Sequence, residues 1–396
     1  MRQVHITQLQ PDGRGAGRDA EGRLVHVPGA VPGDLAEVDL APSGRQVRLL
    51  DARVQPGAQR RAPPCPYDAR CGGCDLSVMQ PEARRRALAD MVARCLRVDT
   101  PIAIRPSPRP TGHRARVSLR VMDGRLGFHG ARSHEHVPVS RCGVARPEIN
   151  DALVSLQRVL DAHPSLPAEE VALRSDGARV VVCMYGTIRP SSEQVQALAA
   201  LNDVAWNDRV LHGDPTLTLR VCGVVVRASP GTFYQVNLEQ NAALVAAVRD
   251  AAIEIAPERV LDLYCGNGNL GLPIAAAGLP LLGVEREGRA LEDLREAARE
   301  QGLDVRALGL DANRFDPSRE AFDLAVLDPP RAGAGKVLSR VLGNRPRRVI
   351  YVACNPLALG RDLRVATAAG YRLTRAACFD MFPDTHHVET VAVLDR

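Results

Sequence analysis

From about residue 238 to its end, the chain alternates strand-like and helix-like segments, and this alternation restricts the fold more than any other feature. A helix between two strands returns the chain to the same edge of a sheet, so the order predicts a parallel sheet with helices on both faces. The last two predicted strands, 371–379 and 388–394, have no helix between them. We therefore expect a doubly wound α/β domain of seven strands whose last strand runs antiparallel.

The first part of the chain has a different pattern. Residues 1–55 alternate short β-like runs with Gly and Pro turns, which predicts a small β-barrel of the oligonucleotide-binding type. A linker rich in Pro and Arg, a cysteine-rich segment and a predicted helix over residues 81–97 follow. We predict three domains, namely the barrel 1–55, an α+β central domain 56–230 and the α/β domain 231–396.

Positive charge is concentrated at the front of the chain. Residues 1–150 contain 24 of the 51 basic side chains but 15 of the 46 acidic ones, a net charge of +9, whereas the remainder carries −4. This asymmetry is typical of a nucleic-acid-binding module joined to a second module. Every basic residue except Lys336 is arginine, whose planar fork suits phosphate, although a codon bias explains the ratio equally well. Along a predicted hairpin, Arg114, Arg116 and Arg120 would share one phosphate-binding or solvated face.

The sequence shows neither a targeting signal nor a membrane segment. Polar residues follow the first few positions, and no apolar run approaches the length of a bilayer span. We expect a cytoplasmic protein in which the ten cysteines are ligands, nucleophiles or buried residues rather than disulfides.

A glycine turn follows the first strand of the α/β domain. Gly266 would let a ligand approach the backbone closely, and the turn opens a helix whose amino end faces the same place. Gly266, Gly268 and Gly271 also have the dinucleotide-binding spacing, so NAD is a competing ligand.

Acidic residues at the ends of later strands favour S-adenosylmethionine over NAD. Glu285 ends the second strand, where both cofactor classes place a ribose-binding acid. Asp311 follows the third strand, where adenine contacts are expected, but alone it is as readily a loop residue. Asp328 begins an Asp-Pro-Pro sequence after the fourth strand, facing the expected site of transfer.

Cys354 ends the fifth strand, and Asn355-Pro356 then begins a helix. A thiol near a helix amino end can have a lowered pKa and act as a nucleophilic thiolate; a buried structural cysteine is the alternative. Carbon 5 of uracil becomes a nucleophile once a thiolate adds to carbon 6, and a base must then remove the proton from carbon 5. His387 and Glu389 are candidates, and we favour Glu389 as the base, with His387 orienting it or contacting substrate.

Five motifs together resemble the RNA (uracil-5-)-methyltransferase family: Phe-Tyr-Gln-Val-Asn at 233–237, Asp-Leu-Tyr-Cys-Gly at 262–266, Asp-Pro-Pro-Arg at 328–331, Cys-Asn-Pro at 354–356 and His-Val-Glu at 387–389. The resemblance covers nearly the whole chain. It implies a Rossmann-like class I methyltransferase domain, with Cys354 as nucleophile and Glu389 as base. It also implies six residues that contact S-adenosylmethionine: Gln235, Tyr264, Asn269, Glu285, Asp311 and Asp328. The family often has Phe in place of Tyr264 and Asn in place of Asp311. Residues 4–54 resemble its TRAM RNA-binding domain.

A cysteine cluster is expected in the central domain. Cys65, Cys71 and Cys74 lie close together in sequence, and Cys142 follows later. Four thiolates suit zinc or an iron–sulfur cluster, and spacing alone does not separate them. The pattern resembles the cluster cysteines of ribosomal-RNA members of the family, which implies a closed four-iron, four-sulfur (4Fe-4S) cluster that is structural or positions RNA.

The sequence thus predicts an S-adenosylmethionine-dependent enzyme, acting as a monomer, that methylates carbon 5 of a uridine. We expect 23S rRNA as substrate, because barrel and cluster occur together, and tRNA is the alternative. RNA cytosine-5 methyltransferases are a rival class, although they usually have Pro-Cys where this chain has Asp328-Pro329-Pro330. An amino-group methyltransferase, which would not need Cys354, is a second rival class. A non-enzymatic RNA-binding assembly factor is the third.

Overall fold

The computed structural model describes residues 2–43, 46–131 and 133–396. Met1, Gly44, Arg45 and Arg132, which fall within the first two predicted domains, lie outside the described residues. None of the helices in the described ranges combines the length and the apolar character needed to cross a membrane.

Two small sheets form the N-terminal part of the chain. The strands are β1 (Arg2–His5), β2 (Gln8–Leu9), β3 (Gly15–Arg18), β4 (Leu24–Val27), β5 (Leu35–Ser43) and β6 (Gln46–Gln55). β5 pairs with β1 and β6, whereas β3 pairs with β2 and β4. Val4, Val25 and Val38 from these two sheets share one buried apolar core. The expected barrel-like fold is confirmed.

A mostly antiparallel sheet forms the centre of the middle part. The elements are α1 (Pro81–Leu96), β7 (Ile104–Arg105), β8 (Arg116–Met122), β9 (Arg125–His129), β10 (His136–Pro138), α2 (Pro147–Ala162), β11 (Glu170–Ser175), β12 (Val180–Tyr185), α3 (Ser192–Leu198), a 3-10 turn (Ala199–Leu201), β13 (Asp203–Trp206), β14 (Arg209–His212), β15 (Leu217–Val221) and β16 (Val224–Ala228). The seven-stranded sheet has the order β10-β9-β8-β11-β12-β13-β14. Asp123 and Gly124 join β8 to β9 with φ angles of 50° and 70°, the positive values that a tight hairpin turn needs.

The C-terminal part is the predicted doubly wound α/β domain. Its elements are α4 (Leu238–Ile253), β17 (Val260–Leu263), α5 (Gly271–Ala275), β18 (Leu281–Glu285), α6 (Gly288–Glu300), β19 (Val305–Gly309), a 3-10 turn (Pro317–Arg319), β20 (Leu324–Leu327), α7 (Lys336–Gly343), β21 (Arg348–Ala353), α8 (Pro356–Ala368), β22 (Arg372–Phe379) and β23 (Glu389–Asp395). β17 to β21 are parallel, and β23 is inserted antiparallel between β21 and β22. The antiparallel last strand is therefore confirmed.

The sheet of this domain has one strand more than predicted within the described residues, in the order β19-β18-β17-β20-β21-β23-β22-β7. The additional strand, β7, comes from the central segment and pairs with Cys378 and Phe379 of β22. It covers backbone groups that an edge strand would otherwise leave unpaired. The local sequence did not predict it because two residues carry no periodicity.

α1 also packs on the α/β domain. Leu88 and Val92 of α1 share a buried core with Leu359 of α8. Gly360 permits this approach, because a β-carbon there would collide with the carbonyl oxygen of Cys95. This packing brings the cysteine-rich segment before α1 to the edge of the sheet where the parallel strands end.

Candidate active site

A cavity of about 650 Å³ lies at the carboxyl ends of the parallel strands. This edge is where open α/β sheets bind ligands, because the strand-to-helix loops leave a crevice there. The lining includes every residue expected to act in catalysis or cofactor binding: Cys354, Glu389, Gln235, Tyr264, Gly266, Asn269, Glu285, Asp311 and Asp328. The fold thus gathers side chains that are far apart in sequence.

The turn after β17 has a backbone that only a glycine-rich sequence adopts easily. Gly266 and Gly268 have φ angles of 53° and 87°. A β-carbon on Gly268 would lie 2.5 Å from Cδ1 of Leu294, so a larger residue would collide with α6. The backbone N–H of Gly266 donates a hydrogen bond to the carboxylate of Glu285 at 3.1 Å, which joins the turn to the end of β18.

Asp262 is a carboxyl group that the sequence motifs did not mark as functional. It lies in β17, is fully buried and lines the cavity, and neither carboxylate oxygen has a hydrogen-bond partner in the described structure. Burial, and then repulsion by Asp328 and Glu285, raises its pKa well above the usual value. Gly271 lets this group fit, since a β-carbon there would lie 2.6 Å from Oδ2. An acidic residue inside an apolar strand was a signal that could have identified it.

Amide groups from the start of α4 and the glycine turn complete the cofactor side. Asn269 and Asn241 exchange amide hydrogen bonds of 2.7 and 2.9 Å, which fixes α4 against the turn. Gln235 is buried, and its Oε1 has no partner among the described residues. Asp311 accepts hydrogen bonds from Asn313, and these lower its pKa. Unpartnered acceptors on Gln235 and Asp262 fit a ligand with amino or hydroxyl donors.

Cys354 stands at the end of β21 as expected. Asn355 caps α8 by accepting a hydrogen bond from the N–H of Leu357 at 3.1 Å, and Pro356 occupies the first turn. The expectation of a lowered thiol pKa is wrong for this ligand-free cavity. Burial, followed by Glu389 and Asp328, raises the pKa of Cys354 to about 11, although the Arg331 guanidinium opposes this increase. The cost of burying the thiolate outweighs the helix amino end.

The carboxyl groups opposite Cys354 are also shifted. Burial raises the pKa of Asp328 to about 7. Burial and the neighbouring Asp328 charge raise the pKa of Glu389 well above its usual value, and Arg331 partly offsets this. Two buried carboxyl groups and a thiol at one point hold protons that a ligand can redistribute.

Arg331 is a further residue whose importance was not apparent from the sequence. Its Nη2 lies 3.0 Å from Nδ1 of His387, and its charge acts on both Cys354 and Glu389. Burial, and then the charges of His386 and Arg331, lowers the pKa of His387 to about 4, so its ring is neutral near pH 7. The asparagine that caps α8 also donates to the carbonyl of Arg331 at 2.9 Å.

The four cysteines expected to bind metal line a second cavity, of about 690 Å³: Cys65, Cys71, Cys74 and Cys142. Phe233 and Gln235 line both cavities, so the two adjoin. Burial, with repulsion from other thiols, raises the pKa of Cys74 to about 12. No group of three or more His, Cys, Asp or Glu residues is arranged to hold a metal ion among the described positions.

Two of the three arginines expected to share a face point to this second cavity. Arg114 and Arg116 line it, and their guanidinium carbons lie 5.8 Å from the ring centre of Phe382 and 5.6 Å from that of Phe233. Arg120 instead lies 3.5 Å from Glu170 in an exposed ion pair.

Comparison with known proteins identifies similar chains. Residues 282–396 match the model of the tRNA (Uracil-5-)-methyltransferase family. The chain is 34% identical over 423 residues to the 23S rRNA (uracil(1939)-C(5))-methyltransferase RlmD of Pectobacterium atrosepticum, covering 98% of this chain and 92% of the relative. It is 32% identical to the enzyme of the same name from Shewanella baltica, covering 99% and 95%.

A solved structure shares the whole fold. The tRNA (uracil-54, C5)-methyltransferase of Pyrococcus abyssi, crystallised with S-adenosyl-L-homocysteine, superposes with a TM-score of 0.80 over 100% of both chains at 24% identity. At this identity the likeness establishes the fold.

Proposed function

The chain belongs to the RNA (uracil-5-)-methyltransferase family, and we propose that it transfers a methyl group from S-adenosylmethionine to carbon 5 of one uridine in 23S rRNA. The observation that carries the proposal is that Cys354 and Glu389, from two different strands, line one cavity with the residues expected to bind cofactor. Relatives named for this reaction on 23S rRNA match almost the entire chain, which favours that RNA over tRNA.

In this proposal Cys354 and Glu389 act in sequence on the uracil ring. The Cys354 thiolate adds to carbon 6, and the electron pair of the 5,6 double bond makes carbon 5 nucleophilic. Carbon 5 takes the methyl group, Glu389 removes the proton from carbon 5, and the Cys354 sulfur leaves carbon 6. Arg331 favours the thiolate by its charge. When bound, S-adenosylmethionine supplies a methyl group on a positively charged sulfur, and a positive charge favours the ionised forms of the nearby thiol and carboxyl groups.

The cofactor would lie along the ends of β17, β18 and β20. We propose that Glu285 binds its ribose, because carboxylates at the end of the second strand serve this purpose in related folds. Gln235 and Asp328 would bind near the methionine part, and Tyr264 and Asp311 near the adenine. The unpartnered acceptors of Asp262 and Gln235 support an amino-bearing ligand.

We also propose that the four cysteines hold a 4Fe-4S cluster. The donor set fits, because four thiols face one cavity and Cys71 and Cys74 are close enough to Cys142 for their charges to interact. Metal binding would offset the cost of forming buried thiolates, whose pKa values are otherwise raised. Iron and acid-labile sulfide should be found together in protein purified without oxygen; one zinc ion without iron would contradict the assignment.

RNA would be bound by the front of the chain. The TRAM-like barrel and the arginine-rich central part carry the excess of positive charge, and the target uridine must leave its stack to reach Cys354. We expect a monomer acting in the cytoplasm, because residues of one chain complete the cavity.

The test is to map 5-methyluridine by mass spectrometry in ribosomal and transfer RNA from cells with and without the gene. Loss at one site of 23S rRNA, restored by the wild-type gene but not by Cys354→Ala, is the expected result. Loss in tRNA alone would retain the chemistry and overturn the choice of RNA. Unchanged 5-methyluridine together with loss of 5-methylcytidine would favour the cytosine-5 reaction instead.

A further inference from the structure

The loop after the last cysteine of the 65–74 group contacts the loop that precedes Glu389. The carboxylate of Asp75 pairs with Nδ1 of His386 and also accepts a hydrogen bond from the backbone N–H of His386 at 3.1 Å. The next residue, Leu76, donates its backbone N–H to the carbonyl of Asp384 at 2.9 Å. The two loops are therefore joined at two adjacent positions, although about 310 residues separate them.

From His386 the contacts continue to the nucleophile. The ring of His386 lies 4.0 Å, centre to centre, from the ring of His387, and His387 contacts Arg331 at 3.0 Å. Arg331 lines the catalytic cavity and acts on Cys354. The side chains thus form a continuous path from the cysteine loop to the reacting thiol.

The N-terminal barrel completes the arrangement. Gly13, in the turn between β2 and β3, has a φ of 80°, and a β-carbon there would lie 2.8 Å from Nδ1 of His386 and closer still to Asp75. A glycine is thus the residue that allows the barrel to cover the pair. Three segments that are remote in sequence meet at this one ion pair.

We propose that Asp75 and His386 are positioning residues that hold His387 and Arg331 against Cys354, so that the geometry of the cysteine loop sets the rate of nucleophilic attack. The proposal rests on the proposed uridine methylation. Neither residue touches the reacting atoms, and the pair acts through Arg331. Since the aspartate directly follows Cys74, any rearrangement of the cysteine loop reaches the catalytic centre through this contact.

The test compares Asp75→Asn with Asp75→Glu in the full-length protein, using an unmodified 23S rRNA transcript and S-adenosylmethionine. The expected result is a kcat about tenfold lower for Asp75→Asn, corresponding to one lost contact, with KM for the RNA and for the cofactor nearly unchanged. The rate of covalent Cys354 adduct formation on 5-fluorouridine-substituted transcript should fall by the same factor. Asp75→Glu, which keeps the charge, should recover part of the rate, and His386→Asn should match Asp75→Asn.

A matched control is Glu135→Gln, which removes the exposed ion pair between Arg70 and Glu135 in the same region without reaching the catalytic cavity. Its kcat should equal that of the wild type. Iron content and melting temperature are measured for each variant. An Asp75→Asn enzyme with wild-type kcat, or one whose loss only follows its loss of folded or iron-containing protein, overturns the proposal. A wild-type enzyme that forms no 5-methyluridine in this assay would instead count against the proposed function.

Discussion

The guanidinium of Arg84 is paired with the carboxylate of Asp380, and both side chains are almost completely buried. Arg84 also donates a hydrogen bond from Nη1 to the carbonyl of Thr385 at 3.1 Å. α1 is thereby fixed to the segment that leads into β23 and to Glu389. A buried pair of this kind is costly to break on one side, because the remaining charge stays buried.

Replacing Arg84 with Met should therefore destabilise the protein by about 3–5 kcal/mol, because Asp380 would remain buried without its partner. Denaturant unfolding gives this value directly. The exposed Arg70 is a suitable control, since Arg70→Met breaks a surface pair worth less than about 1 kcal/mol. Replacing Arg84 and Asp380 together with Met and Leu should recover much of the loss. Equal effects of the two single arginine variants would contradict the buried-pair explanation.

Glu389→Gln should trap the enzyme on its RNA. The amide keeps the shape of the side chain but cannot accept the carbon 5 proton, so the Cys354 sulfur cannot leave carbon 6. A denaturation-resistant protein–RNA complex should accumulate, and turnover should fall by at least about a hundredfold. Cys354→Ala supplies the control, because it should form no such complex. An active Glu389→Gln enzyme would transfer the function of base to another residue.

The reactivity of Cys354 should rise steeply with pH in the ligand-free enzyme. Its pKa is raised to about 11, so the thiolate is a small fraction at pH 7 and increases tenfold for each pH unit up to that value. Alkylation of this cysteine by iodoacetamide, followed by mass spectrometry, measures the profile. Arg331→Gln should move the profile to higher pH, whereas Glu389→Gln should move it to lower pH. A plateau reached below pH 8 would show that the thiol is not raised.

Asp328→Asn should stabilise the ligand-free protein at alkaline pH while it reduces activity. Burial raises the folded-state pKa of Asp328 to about 7, above the unfolded value of 3.8. Between these values the folded state binds more protons than the unfolded state, so the aspartate lowers stability progressively as pH rises and imposes its full cost above pH 7. Urea unfolding at pH 5 and pH 8 should show a gain for Asp328→Asn of a few kcal/mol at most, larger at pH 8. A gain that is equal at both pH values would contradict this origin.

Gly268→Ala should be more damaging to the fold than Gly266→Ala. Both positions have positive φ, which costs an alanine roughly 1 kcal/mol. At Gly268 the new methyl group would also press against Leu294, adding about 1–3 kcal/mol, whereas nothing lies within 4 Å of a β-carbon at Gly266. Thermal unfolding of the two variants measures the difference. Equal melting temperatures would mean that α6 moves aside without cost.

Much of the fold was accessible from the sequence because it is written in local periodicity. α8 begins at Pro356, one residue after the Asn-capped start that the sequence indicates, and β23 follows β22 without a helix, as predicted. The residues around the active-site cavity were also identified, since glycine turns and polar residues at strand ends are local signals. β7 was missed because two residues have no period, and its pairing with β22 depends on the packing of α1.

The sequence by itself determined the alternation of strands and helices, the nucleophile and acids at the strand ends, and the four cysteines, because these depend on residue type and spacing. Only the tertiary structure decided that Asp262 is buried without a partner, that the Cys354 pKa is raised rather than lowered, and that Asp75 meets His386. Burial and contact between distant segments follow from how the whole chain packs, and no local pattern contains that information.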